Sequence, residues 1–344
     1  MREFRLRKEL LQMRTSDFRT IGHIGAVTLL LCCSACSISL SRAPMQSLPA
    51  ARELSNRAKH IYFAWGTKGN SQIRSYPATA DGDVAPKTVI AGSNTKLDVP
   101  FPAYVTPTGA IFTCNLFGRI LGFSAGAHGD VPPIRDIGGP LRVCRSVAMH
   151  AGIVATADTN YARSAVLVWG PRASGEVKPT RTISGKATKL HEPYDVAFDS
   201  GGAIYVANYS GDSITVYARD ANGNANPLRR IFGGLTGLRS PSALAVDNNA
   251  GLLYVANSGR NAITAYRLSQ SGSVKPAALL AGSDTLLSSL DAVAVDGAGY
   301  VYAGNRIGGK GYITVYAPGS QGNVKPVQVI KGDKVDLRGH IAVK

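Results

Sequence analysis

A five-residue string, Gly-x-Val-x-Pro, recurs six times in this chain, starting at Gly82, Gly129, Gly175, Gly223, Gly272 and Gly322, with Ala225 in place of Val in one copy. The intervals are 47, 46, 48, 49 and 50 residues. A period that constant describes one supersecondary unit copied in series. The 344 residues are therefore read as one large repeat domain, although length alone would allow two ordinary ones.

The fourth copy displays the unit. It runs Pro193-Tyr-Asp-Val-Ala-Phe-Asp199, Gly202-Ala-Ile-Tyr-Val-Ala-Asn208, Ser213-Ile-Thr-Val-Tyr217, the Gly223 string, then Leu228 to Phe232. Each run is short, rich in β-branched or aromatic residues and bounded by Gly, Asn, Asp or Pro, which predicts four antiparallel strands and no helix. The third strand opens on an apolar residue and closes on an aromatic one in every copy: Tyr76, Phe123, Trp169, Tyr217, Tyr266 and Tyr316. The signature follows, where Gly can take positive φ in a turn and Pro can begin a fourth strand. Proline cannot donate to a ladder, so Pro86, Pro133, Pro179, Pro227, Pro276 and Pro326 are expected on outer, solvent-facing edges. Four-stranded units of this period stack radially as propeller blades.

The ends predict closure. His340 to Lys344 align with Asp195 to Asp199, the first strand of a unit, whereas the first copy starts at Ile61, in its second strand. Pairing them removes two open edges. The expected fold is all-β, a six-bladed β-propeller of four-stranded antiparallel blades over residues 60–344, closed by the C-terminal strand in the N-terminal blade.

Ahead of it, Ile21 to Leu31 form an apolar run after Arg14 and Arg19, too short to span a bilayer, with small residues at Ser34 and Ala35. Residues 1–35 read as a secretory signal with a long basic leader, for which Met13 is an alternative start. Cys33-Ser34-Ala35-Cys36 resembles a bacterial lipobox with Cys33 where Leu is usual, so lipidation at Cys36 stands beside plain secretion and a free membrane segment. Residues 36–59, holding Pro44 and Pro49, lack periodicity and read as a tether. The net charge is +16. The first 35 residues carry six basic and three acidic side chains, which leaves most of the charge on the domain. An exported basic domain is expected to meet an anionic envelope polymer, glycan or protein, not nucleic acid, and to touch membrane only through a lipid anchor.

The strings Pro-x-x-Val-Ala-Phe-Asp, Gly-x-Ile-Tyr-Val-Ala-Asn and Ile-Thr-Val-Tyr resemble NHL-type repeats across roughly residues 60 to 344, most clearly in the copies at 193, 241 and 289. The resemblance implies that inner strands line a central channel and that ligands sit on the face whose loops lead into those strands. The chain departs from the pattern in having Asn208, Asn257 and Asn305 where Asp is more usual, and in its degenerate second and third blades. Gluconolactonase-type lactonases and virginiamycin-lyase-like propellers share the architecture, and likeness to them implies a divalent metal held in the channel by acidic or His side chains. After the signal only Glu53, Glu176 and Glu192 are available as Glu, of which Glu53 lies in the tether and Glu176 in an outer hairpin. No HExxH, GxSxG, Walker or CxxC string occurs in the domain.

Equivalent positions of the blades form rings. One comprises Trp65, Asn115, Asp158, Asn208, Asn257 and Asn305; another, at the start of the inner strand, comprises His340, Pro102, Ser146, Asp195, Ala243 and Asp291. These are either a polar floor for a cation or polar ligand, with Asp158, Asp195 and Asp291 as oxygen donors, or turn hydrogen bonds repeated in each blade. His191 and Arg239, with Arg142 and Arg145, offer an anion site if they crowd one face, and are solvated loop residues otherwise. Trp65 could stack on a sugar or a cation, or simply pack. Cys114 and Cys144 align near one face, where an oxidising compartment permits a disulfide; two buried thiols are the alternative. The function expected is that of a monomeric, exported binding or interaction module without cofactor. The alternative is a metal-dependent lactonase, lyase or hydrolase using a divalent cation in the channel.

Overall fold

The computed structural model describes residues 57–160, 163–308, 310–331 and 340–344. The signal, Cys36 and nearly all of the tether lie outside the described residues. Six antiparallel sheets follow one another along the chain. In blade 4, Pro193–Phe198 is innermost, then Ile204–Asn208, Ser213–Tyr217 and Arg229–Phe232. Blade 5 repeats this order with Pro241–Asp247, Leu252–Asn257, Ala262–Arg267 and Ala278–Leu280. Blade 1 is completed from both ends, since Ile341–Val343 pairs with His60–Thr67 in the register Phe63 to Ile341. The closure expected from the sequence is present. Among the described residues no helix is long and apolar enough to cross a membrane.

The two middle strands of blade 4 are buried at every position, because both sheet faces are covered by neighbouring blades. The core therefore lies between blades: Phe112 and Ile120 of blade 2 share one cluster with Val154, Leu167 and Trp169 of blade 3. The aromatic that closes each third strand fills these seams, and Tyr217, Tyr266 and Tyr316 are fully buried. Each such ring contributes about 2 kcal/mol by burial. Their hydroxyls still need a partner, and they donate to the carbonyls of Thr188, Thr236 and Thr285 in the preceding linker. Burial pushes the Tyr217 and Tyr266 hydroxyls up to about 12.

The outer strands are not left open, which amends the expectation for the proline-bearing edges. Gly129 makes a parallel bridge to Ile90 of the preceding blade, and Gly223, Gly272 and Gly322 do the same to Ile183, Ile231 and Leu280. Two-residue parallel pairings complete the set, Gly175–Glu176 on blade 2 and Gly82–Asp83 on blade 6. Each signature thus clasps the blade before it. All six glycines have φ between 63° and 83°, and a Cβ on any of them would meet nothing within 4 Å. Conformation, not space, demands glycine there. The residue after Gly strengthens the clasp: Asp130, Asn224 and Asn323 accept the main-chain N–H of Asn94, Ala187 and Asp284 in the preceding linker. Glu176 instead receives Arg119 Nη1 at 2.6 Å. A Cys114–Cys144 disulfide adds a covalent tie between blades 2 and 3, both sulfurs buried.

Candidate functional site

The linkers that lead into the inner strands all emerge on one face, and that face holds the sequence-derived candidates. The Asn ring fastens those linkers. Asn208, Asn257 and Asn305 accept through Oδ1 the N–H of His191, Arg239 and Ser288, each at 3.0 Å. Their amides donate to Thr215, Thr264 and Thr314. Asn115 accepts from Asp98, and Asp158 accepts from both Arg142 and Val143. All five are buried, and these contacts are local turn bonds repeated from blade to blade. Trp65 stands alone in the ring: it is half-buried, Arg74 lies 5.6 Å from its ring, and its Nε1 is shut off from solvent without a partner among the described residues.

The inner-strand ring needs one correction. Asp195 pairs with Ala207, Ala243 with Ala256, and Ala292 with Gly304. Ala292, not Asp291, is therefore level with Asp195. Asp291 stands one residue nearer the mouth, level with Phe101, Arg145, Tyr194 and Ser242.

Across the axis, His340 Nδ1 of blade 1 lies 3.3 Å from Asp195 Oδ1 of blade 4. Asp195 also accepts the N–H of Val196 at 2.8 Å and of Leu244 at 2.7 Å. Burial alone would push the His340 imidazole down, but the Asp195 carboxylate, with Asp291 and the Ser242 carbonyl adding to it, outweighs burial and raises its pKa. Asp291 is raised by its own burial, against the pull of Arg306 and His340. Arg306 Nη2 stands 3.8 Å from it.

Above this pair the mouth carries a stack that sequence reasoning did not find. The Arg145 guanidinium lies 4.7 Å over Tyr194, whose ring stacks on Tyr209 at 4.3 Å and 22°. Tyr194 and Tyr209 sit at ends of adjacent strands of the same blade, so only strand pairing brings them together. Phe101 faces the His340 ring at 6.0 Å. Arg142, His191 and Arg239 are exposed, and each donates its main-chain N–H to the Asn ring. They hold equivalent places on three successive linkers, those entering blades 3, 4 and 5, the middle one entering the blade that carries Tyr194 and Tyr209.

The acidic groups do not suit a divalent cation. Asp195 is held by two amides and His340, Asp291 faces Arg306, and among the described residues no three His, Cys, Asp or Glu side chains are placed to share a metal ion.

Fold and site together define a six-bladed propeller with a channel crossed by an ion pair. More narrowly, the profile described as "SMP-30/Gluconolactonase/LRE-like region" matches residues 147–329, and the chain belongs to this family. No curated protein matches the chain. Several solved structures are similar: the Nidogen/Laminin complex, at 16% identity over 83% of this chain and 97% of that one with a TM-score of 0.58; a protein of unknown function from Bacteroides caccae, at 13% over 83% and 98% with a TM-score of 0.59; and a functionally unknown protein from Desulfotomaculum acetoxidans DSM 771, at 12% over 81% and 83% with a TM-score of 0.54. At these identities the likeness is one of fold.

Proposed function

We propose that this chain is an exported, monomeric binding module of the cell envelope, tethered through Cys36 when that residue is lipidated, and that its linker-bearing mouth holds an anionic glycan. Arg142, His191 and Arg239 on three successive linkers, with the Arg145–Tyr194–Tyr209 stack, carry this reading. Arginines hold carboxylates or phosphates by charge-assisted bonds, and an aromatic platform offers a sugar its flat face. Export is supported by the Cys114–Cys144 disulfide, which an oxidising compartment maintains. The test is calorimetric titration of the protein with an acidic polysaccharide across a salt series. Binding should weaken as salt rises and fall further in Tyr209→Ala and Arg239→Ala. Binding indifferent to salt and to both substitutions refutes it.

A second reading, hydrolysis or lyase chemistry in the channel, draws support from the family and from His340 beside Asp195. In that reading His340 is the proton-transfer group and Asp195 orients it. Turnover of lactones or esters that is lost in His340→Gln, assayed at a pH and temperature where unfolding curves show the variant fully folded, would establish it.

A further inference from the structure

Two charged side chains on the floor of the mouth have no hydrogen-bonding partner among the described residues. Arg145 enters blade 3 and Asp291 enters blade 6, so they face each other across the axis, one residue above the His340–Asp195 pair. The Arg145 guanidinium lies 4.7 Å over Tyr194, and that stacking fixes its plane. Its Nε is shut off from solvent, whereas the Nη edge reaches solvent and donates to nothing among the described residues. A fork held in one plane with its outer edge open is set to receive a planar anion.

Asp291 is the converse. Its oxygens accept no hydrogen bond among the described residues, and Arg306 stands 3.8 Å away, too far to donate one. Neighbouring carboxylates are already engaged, Asp158 and Asp195 by main-chain N–H groups and Glu192 by the Ser210 hydroxyl. Both unmet groups act on Tyr194, whose hydroxyl is raised chiefly by burial, drawn down by Arg145 and pushed up by Tyr209, Glu192 and Asp291. The Tyr194–Tyr209 stack thus stands within reach of an unmet donor and an unmet acceptor.

A ligand that satisfies both brings a carboxylate for Arg145 and hydroxyls for Asp291. The floor favours a single negative charge, because Arg145 supplies one cation and the Asp291 carboxylate opposite repels any further anion. A phosphomonoester, with about two charges, is disfavoured. We infer that the floor recognises one hexuronate unit, its carboxylate held by the Nη edge of Arg145 and its ring hydroxyls donating to Asp291. This rests on the reading of the mouth as a glycan-binding face and narrows that reading to a uronate.

The test is titration of the full chain with glucuronate, glucose, glucose 6-phosphate and cyclohexanecarboxylate, followed by ligand-observed NMR at constant salt. Glucuronate should bind saturably. Glucose lacks the carboxylate, the phosphate carries too much charge and cyclohexanecarboxylate lacks the hydroxyls, so each should bind at least about tenfold more weakly. That ranking is read on the unsubstituted chain and needs no variant to fold. Arg145→Gln should abolish the preference for glucuronate over glucose. Asp291→Asn separates the two contacts: it should weaken glucuronate about tenfold by loss of a charged acceptor, and strengthen cyclohexanecarboxylate about threefold by relief of repulsion. Absence of saturable glucuronate binding, glucose or the phosphate bound as tightly, or both acids moving the same way in Asp291→Asn overturns the inference. If it is overturned while acidic polysaccharide still binds with the salt dependence given above, the glycan reading stands without it; if the polysaccharide does not bind either, both fall.

Discussion

His340 and Asp195 lie 3.3 Å apart although they belong to diametrically opposed blades. Each is nearly inaccessible to solvent, at 7% and 4% exposure, so this ion pair ties the strand that closes the ring to the far wall of the channel. Removing one partner leaves a buried charge, and His340→Ala is expected to cost about 3 kcal/mol in urea unfolding.

The same pair sets a pH dependence. The folded His340 pKa is raised above its ordinary 6.5, so its contribution is fully present below about pH 6.5 and is lost as pH rises through the folded value. The stability gap between the wild type and His340→Gln should be largest near about pH 5.5 and shrink in alkali. A gap that widens with pH would contradict this sign.

Gly272 has φ of 83° with open space where a Cβ would stand, whereas at Gly185, with φ of 119°, a Cβ would come 2.5 Å from Asn224 Oδ1. Gly272→Ala should therefore cost only the conformational strain, about 1 kcal/mol. Gly185→Ala should cost more, since it also displaces the Asn224 clasp. Chemical denaturation of the two variants side by side checks the order.

Asn257 is fully buried, accepting from Arg239 and donating to Thr264. Asn257→Ala leaves that linker amide without its partner and should destabilise the fold by about 2 kcal/mol. Its affinity for acidic polysaccharide, measured well below the melting temperature, should change little if the residue only fastens the linker.

Cys114 and Cys144 join two blades across 30 residues of chain. The double substitution to Ala should lower stability by about 3 kcal/mol. Adding reductant should shift the wild-type melting temperature and leave that of the double variant unmoved.

The architecture was legible because a period of nearly constant length and short β-branched or aromatic runs bounded by turn residues both survive in one sequence, and His340 to Lys344 matched the missing first strand closely enough to reveal the closure. The clasp was not, since a one- or two-residue parallel pairing leaves no periodicity. Asp291 was misplaced because matching it to Asp195 by residue type ignored the alignment of Asp199, Asp247 and Asp296 further along the same strands. The Tyr194–Tyr209 stack was hidden for a third reason: it depends on which neighbouring strand ends come together, not on repetition. The mouth is thus the least repetitive part of the chain and was the hardest to read.

Since every signature glycine completes the outer strand of the blade before it, no blade is finished by its own residues. During synthesis the order of completion runs one blade behind the ribosome, and Lys331 of the last blade finds its partner in Asp83, made at the start. A truncation that deletes blade 6 would therefore leave raw edges at two places, on blade 5 and on blade 1. Ring integrity belongs to the whole chain, and shortened versions should be judged as open fragments prone to self-association rather than as smaller propellers.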